Sequence, residues 1–451
     1  MTAPIASSSL EATVRAVSGD LDPGDVGLRG RLDEFVIASV MRNHDLRVGL
    51  FRFAEAFPAM EGPDDVMAHL RGYLGHDAMP WWVRLPIALA ARIPFGSRIA
   101  AWAADRGIST MAKNFIGGRR AADVEPLVRR HWDAEVGVII DALGEKTVTA
   151  DQADDYAARI LDIVAHLGRA AGSWPASPGL ERDQLGVLPR VAVAIKPTGL
   201  SAKYQPLSAE IALADVRRRL DPIMQAATEH DVMVWFDMEQ YAVKTLTQRL
   251  FADISHDWPN AHIGIVVQAY LRDSFDDLQR IIAQERDRRV PIGIRLVKGA
   301  YWDYETVVAS AHGWPQPVYD AKVDTDANFE RCSLLLVDNA DVVRPSFASH
   351  NVRSLAHALA AASVRGLPKS ALEIQALHGM GGDLAASAAK AGIRSRIYVP
   401  VGELVPGMSY LVRRLLENTS NESFIRQNRS KQMSRDQLLA APRFTSKEDA
   451  A

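Results

Sequence analysis

Tyr410, Arg413, Arg414 and Glu417 stand at i, i+3, i+4 and i+7, so a helix over residues 410–418 projects a phenol, two guanidiniums and a carboxylate from one face. Two adjacent guanidiniums form a permanently charged fork suited to holding a small carboxylate in bidentate fashion. An isolated pair of this kind is more often a solvated helix face with an Arg413–Glu417 ion pair. The fork therefore takes its meaning from the elements that would set it opposite other chemistry.

Those elements are eight short, apolar, β-branched runs: 137–141, 190–196, 232–237, 263–268, 291–298, 345–350, 372–377 and 396–400. Amphipathic helical stretches separate them, which is the pattern of repeated βα units and predicts a closed (βα)8 TIM-like barrel of the α/β class. Asp141, Lys196, Asp237, Gln268, Lys298, His350 and Gln375 sit at or near the C-terminal ends of these runs, the end that carries the site in such barrels. The N-terminal ends read as mostly apolar or turn-forming. Upstream, residues 28–136 show helical spacing with no strand-like alternation. The expected organisation is a flexible leader over 1–27, a helical region over 28–136, the barrel over 137–427 and a polar, frayed tail over 428–451.

A chain of 451 residues with 48% hydrophobic content buries a large core, and a formal charge of -3 argues against a nucleic-acid partner. A single cysteine, Cys332, excludes an internal disulfide and a cysteine-rich metal site, fits a cytoplasmic setting, and leaves no metal expected. Residues 1–11 lack the basic and apolar regions of a secretion signal. Residues 81–104 are apolar but interrupted by Arg84, Arg92, Arg98, Pro86 and Pro94, so a packed helical hairpin is expected, with peripheral membrane contact through Trp81 and Trp82 as the alternative. The glycines at 379, 381 and 382 do not match a dinucleotide fingerprint, and no Rossmann domain is indicated.

Three stretches in order, Gly293–Trp302, Arg396–Gly402 and Tyr410–Asn418, resemble the proline dehydrogenase family, in particular the proline dehydrogenase part of the proline utilization A proteins. The resemblance runs from about Phe35 to Ile425. It implies oxidation of L-proline to 1-pyrroline-5-carboxylate with FAD in the barrel mouth, because a hydride leaves the carbon beside nitrogen and no side chain accepts one. It also implies a quinone-type electron acceptor and, as a partner, a pyrroline-5-carboxylate (glutamate semialdehyde) dehydrogenase. The alternatives are an excised portion of a bifunctional enzyme and another cyclic imino acid, such as hydroxyproline, as substrate. No basic segment like that of the family's DNA-binding members precedes the helical region.

Carried over by position, the resemblance implies cofactor contacts from Met238, Gln268, Arg295, Lys298, Gly299, Ala300, Trp302, Ser349, His350, Gln375 and Glu417. It implies a substrate pocket of Lys196, Leu377, Tyr398, Tyr410, Arg413 and Arg414, with Arg295, Asp237 and Tyr398 acting in catalysis. Asp237 is the acid expected to offset the cations that grip the proline carboxylate. The base that takes the amine proton is left open between Asp237, His350 and deprotonation favoured by the cationic pocket. Two departures from the family pattern stand out: residues 195–201 after the second run, and Asp320 where a threonine is expected.

Overall fold

The computed structural model describes residues 7–21, 43–144, 146–403 and 434–446. Its first element corrects the reading of a flexible leader: α1 (Ser7–Val17) is a helix that buries Leu10 and Val14, with Leu21 buried just beyond it. Apolar spacing at 10, 14, 17 and 21 gives the segment one sticky face, and each fully buried aliphatic side chain stabilises docking by about 1.5–3 kcal/mol. α2 (His44–Ala56), α3 (Pro63–Leu74), α4 (Trp81–Ala90), α5 (Gly96–Phe115) and α6 (Ala121–Asp133) follow, with no strand among the described residues of this stretch. Asn43 caps α2 by accepting from the Leu46 N–H, and Pro63 opens α3 where a missing N–H is harmless. α4 and α5 form the expected hairpin, yet α4 contains no buried residue. Among the described residues no helix is long and apolar enough to cross a membrane.

All eight runs form strands: β1 (Gly137–Ala142), β2 (Val191–Ile195), β3 (Val232–Phe236), β4 (Ile263–Gln268), β5 (Gly293–Val297), β6 (Arg344–Ala348), β7 (Glu373–Leu377) and β8 (Arg394–Val401). They pair in parallel as a closed barrel in the order β1-β8-β7-β6-β5-β4-β3-β2, with β2 returning to β1. Burial on both faces is why the strands read as continuous apolar runs. The outer layer is α7 (Ala150–Ala171), α8 (Ala209–Glu229), α9 (Tyr241–Asp257), α10 (Ser274–Gln284), α11 (Trp302–His312), α12 (Lys322–Asp338), α13 (Val352–Val364) and α14 (Gly382–Lys390).

One large ring fills much of the barrel interior. Trp235 of β3 is fully buried, and a Cβ on Gly264 or Gly293 of the next two strands would stand 2.5 or 2.6 Å from its atoms, so both positions must lack a side chain. Ile139, Ala192, Ala194, Met233 and Tyr398 pack with it.

The lower end of the barrel corrects the expectation of apolar strand starts. A small hairpin (Arg182–Asp183 with Gly186–Val187) inserts Asp183 there, where it accepts from Arg344 Nε at 2.8 Å. Glu373 accepts from Arg394 Nε at 3.0 Å and Arg396 Nε at 2.8 Å. Burial raises the Glu373 carboxyl, but Arg396 and Arg394 outweigh it and hold the group below the ordinary range.

Within residues 434–446 the frayed-tail reading is also corrected. Leu438 and Leu439 are buried, the Leu439 carbonyl accepts from Arg353, and Thr445 donates its N–H and hydroxyl to Asp324 at 2.6 and 2.8 Å. Arg353 also binds Glu11 of α1 and Glu330 of α12, so both terminal segments close on one guanidinium.

Candidate active site

The C-terminal ends of β1, β2 and β3, with the middle of β5 and β8, converge on a single polar cluster. Lys196, one residue past β2, forms an ion pair with Asp141 of β1 and lies 3.8 Å from Asp237, one residue past β3. Asp237 is bonded to Arg295 of β5 through one oxygen and accepts from the Tyr398 hydroxyl at 2.6 Å through the other. The Arg295 guanidinium sits 5.2 Å from the ring centroids of both Trp235 and Tyr398, which fixes its plane as well as its charge. Leu377 packs against the apolar group around Trp235 and Tyr398.

The structure therefore brings Lys196, Asp237, Arg295, Leu377 and Tyr398 together. It adds Asp141, legible in the sequence only as a polar strand end. Asp141 is fully buried; burial pushes its carboxyl up against the pull of Lys196, and its Oδ2 has no hydrogen-bond partner among the described residues. Burial alone would lower the Lys196 ammonium, but Asp141, with Tyr156 and Asp237 behind it, reverses this and holds it well above the ordinary lysine range. The acid seated directly on Lys196 is thus Asp141, while Asp237 serves Arg295 and Tyr398. Burial, reinforced by Asp141 and Asp237, also raises the Tyr398 phenol, which stays protonated as a donor.

Gln268 donates to the carbonyls of Met238 and Glu239 at 3.3 Å, and its buried Oε1 has no hydrogen-bond partner among the described residues. Gly299 has φ +128, and a Cβ there would stand 2.4 Å from the Tyr270 ring, so the backbone after β5 approaches closely where only glycine fits. Ala300 is exposed, and Trp302 is partly exposed while donating its indole N–H to the Tyr319 carbonyl at 2.8 Å. Lys298 is engaged by Asp326, and burial outweighs that partner to lower its ammonium.

Ser349 accepts from the Asn351 N–H at 3.1 Å, and His350 Nε2 accepts from the Leu377 N–H at 3.2 Å, which removes that nitrogen from use as a base. Gln375, expected among the cofactor contacts, is buried with its amide shared between Arg295 and Glu373, so it props Arg295 from below. The departure at 195–201 is a short buried turn in which Thr198 donates to Glu239 at 2.6 Å, and Asp320 pairs with Arg272 at 2.9 Å. Tyr410, Arg413, Arg414 and Glu417 lie outside the described residues.

A closed parallel barrel with a cationic and acidic cluster at its C-terminal mouth defines a barrel enzyme class, and comparison with known proteins narrows it. Residues 124–427 match the proline dehydrogenase family and residues 20–115 the proline utilization A N-terminal domain. The chain belongs to the proline dehydrogenase family. It is 29% identical over 350 residues to the bifunctional protein PutA of Klebsiella aerogenes, covering 75% of this chain and 26% of that protein. It is 26% identical over 318 residues to proline dehydrogenase 2 of Bacillus subtilis, covering 70% and 90% respectively. The solved structure of proline utilization A from Bdellovibrio bacteriovorus inactivated by N-propargylglycine superposes with a TM-score of 0.86 at 35% identity, covering 96% of this chain and 44% of that one. The chain thus spans about a quarter of the length of the PutA relatives it matches.

Proposed function

We propose that this chain oxidises L-proline to 1-pyrroline-5-carboxylate with FAD held in the barrel mouth, passing electrons to a quinone-type acceptor at a membrane surface and its product to an aldehyde-oxidising partner. The observation that carries this reading is the Asp141–Lys196–Asp237–Arg295–Tyr398 cluster at the catalytic end of the barrel. A flavin, when bound, supplies the acceptor for the hydride that no side chain provides. Gln268, with its unpartnered Oε1, and the close-lying Gly299 backbone fit a polar ring system there, while Arg295 offers fixed positive charge where negative charge develops.

The protein's own part is binding and proton control. Lys196, kept charged by Asp141, is a carboxylate-binding cation rather than a base, and Arg413 and Arg414 are proposed to complete that grip. Asp237 has both oxygens engaged, and His350 Nε2 is taken by a backbone N–H. With these groups occupied, the amine enters as the neutral form and kcat/KM rises with pH. The decisive test is anaerobic addition of L-proline to the FAD-loaded chain. Bleaching of the yellow absorbance, reversed by a soluble quinone, is expected; a flavin that binds yet stays oxidised with proline and hydroxyproline alike would end the reading.

A further inference from the structure

The turn that follows Lys196 is tied down on three sides. Lys196 comes directly after β2, and residues Pro197–Leu200 fold at once into a single buried turn. Tyr156 of α7 supports it: the phenol oxygen accepts from the Lys196 N–H at 3.0 Å, and a Cβ on Gly199 would stand 2.7 Å from the ring. Every polar group of Thr198 is engaged by a neighbouring loop. Its carbonyl accepts from the N–H and the hydroxyl of Thr147, after β1, at 3.2 and 3.1 Å. Its own N–H and hydroxyl donate to the two carboxyl oxygens of Glu239, after β3, at 3.2 and 2.6 Å.

Glu239 is the unusual member of this network. Thr198 and Glu239 are both buried, so a carboxyl is withdrawn from water to accept from a neutral partner, which an amide would do at lower cost. Burial raises that carboxyl, while the bonds from Thr198 and the charge of Lys196 draw it back. On its other side the Glu239 backbone carbonyl accepts from Gln268 Nε2 at 3.3 Å. One residue thus meets both the turn of the substrate-binding cation and the amide that fits the cofactor. Such a link matters because hydride transfer needs reacting atoms about 3–3.5 Å apart, and an error near 1 Å costs about 10²-fold. An ammonium on a flexible four-carbon stem does not set such a distance by itself. Asp141 holds the ammonium, and the turn fixes where the stem begins. We propose that Thr198 and Glu239 are positioning residues that fix the distance between the carboxylate seat at Lys196 and the cofactor seat at Gln268. This deepens the proposed reaction and rests on it for the chemistry that the spacing serves.

The test compares Thr198→Val, Thr198→Ser and Glu239→Gln in the FAD-loaded 451-residue chain. Thr198→Val keeps the shape and removes the hydroxyl. Flavin reduction at saturating L-proline should then slow about tenfold or more, while affinity for a proline analogue with a ring oxygen changes less than about threefold. Thr198→Ser should keep the wild-type rate, and Glu239→Gln, which retains one acceptor, should fall between. The flavin potential should not move, because Arg295 is untouched. A second readout needs no turnover: acetic anhydride followed by mass spectrometry should label Lys196 about fivefold faster in Thr198→Val, with Lys369 unchanged. A folded Thr198→Val protein whose Lys196 is labelled at the wild-type rate overturns the proposal, and so does an unchanged reduction rate in an active chain. Slow reduction that Thr198→Ser shares, or that comes with a shifted potential, overturns it as well. A tenfold loss of analogue affinity at an unchanged saturated rate makes the turn part of the grip and ends the spacing role. If Thr198→Val does not fold, the same comparison is read from Glu239→Gln. A wild type whose flavin stays oxidised with proline, while Thr198→Val still frees Lys196 for labelling, upholds the brace and strikes only at the proposed reaction.

Discussion

The two ends of the barrel hold ionic clusters of similar make-up and different placement. At the lower end Asp183 and Glu373 lie among Arg344, Arg394 and Arg396, sealed by the inserted hairpin. At the upper end Asp141, Asp237, Lys196 and Arg295 are just as close; among the described residues two acceptors there, Asp141 Oδ2 and Gln268 Oε1, have no hydrogen-bond partner, against one donor below, Arg396 Nη1. Buried polar groups left unpaired lower stability and are retained where a ligand pairs with them. The lower cluster, with its carboxylates each held by arginines, serves the fold, whereas the upper one leaves its acceptors open at the C-terminal end of the barrel. Gln375 joins them, bonded to Arg295 above and Glu373 below.

The contrast breaks most visibly at Glu373. Glu373→Gln leaves the buried Arg396 guanidinium without its carboxylate and Arg394 with Asp183 alone, and should destabilise the fold by about 3–5 kcal/mol in denaturant unfolding. Arg295→Met at the other end should lower kcat by about 10²-fold or more, through lost stabilisation of developing charge, with a smaller change in unfolding midpoint than Glu373→Gln. Equal destabilisation by the two substitutions would erase the distinction between the ends.

Asp141→Asn sharpens it. Without that carboxylate, burial prevails and the Lys196 ammonium falls, so carboxylate binding should weaken by about 1.5–3 kcal/mol and decline further as pH rises. A proline analogue with a ring oxygen in place of nitrogen reads this directly. Its affinity should be flat with pH in the wild type and fall on the alkaline side in the variant. A steep wild-type dependence parallel to kcat/KM would instead put a protein group in control of the profile.

The smallest expected effect belongs to His262, which precedes β4 at the lower end. Burial, aided by the neighbouring Arg344 and Arg288, depresses its folded pKa to about 4 from 6.5. The unfolded chain therefore binds the extra proton between those values, and stability falls as pH drops from 6.5 to 4, by about 1.4 kcal/mol per pH unit at most. His262→Gln should flatten that slope in urea melts across the window; an unchanged slope would show that the lower cluster tolerates a further cation.

The barrel was legible because its strands are buried on both faces, so each appears as an uninterrupted β-branched run such as 263–268. The upper cluster was legible in part, because strand-end polar residues stand out from apolar surroundings. Its pairings were not: Asp141 meets Lys196 across 55 residues, and nothing local in either segment announces the other. The lower cluster was missed for a related reason. Arg344 and Arg394 sit at the very first positions of β6 and β8, where they pass for turn residues, and Asp183 reaches them from a hairpin outside the repeat. The docking of α1 and of residues 434–446 was hidden because short amphipathic segments look the same whether solvated or packed.

That docking carries a consequence for biosynthesis. Glu11 meets Arg353 across 342 residues, and Arg15 meets Asp436 across 421. At a ribosomal pace of about 5–20 residues per second, α1 waits roughly 17–70 s for the α13 surface to emerge. Closing so long a loop adds little entropy beyond a loop half its length, about 0.6 kcal/mol, so the delay is kinetic rather than energetic. Through that interval Leu10, Val14 and Leu21 are bare on the nascent chain. A segment synthesised well before the barrel is thus among the last parts of it to be finished, and until then its apolar face is open to holding chaperones.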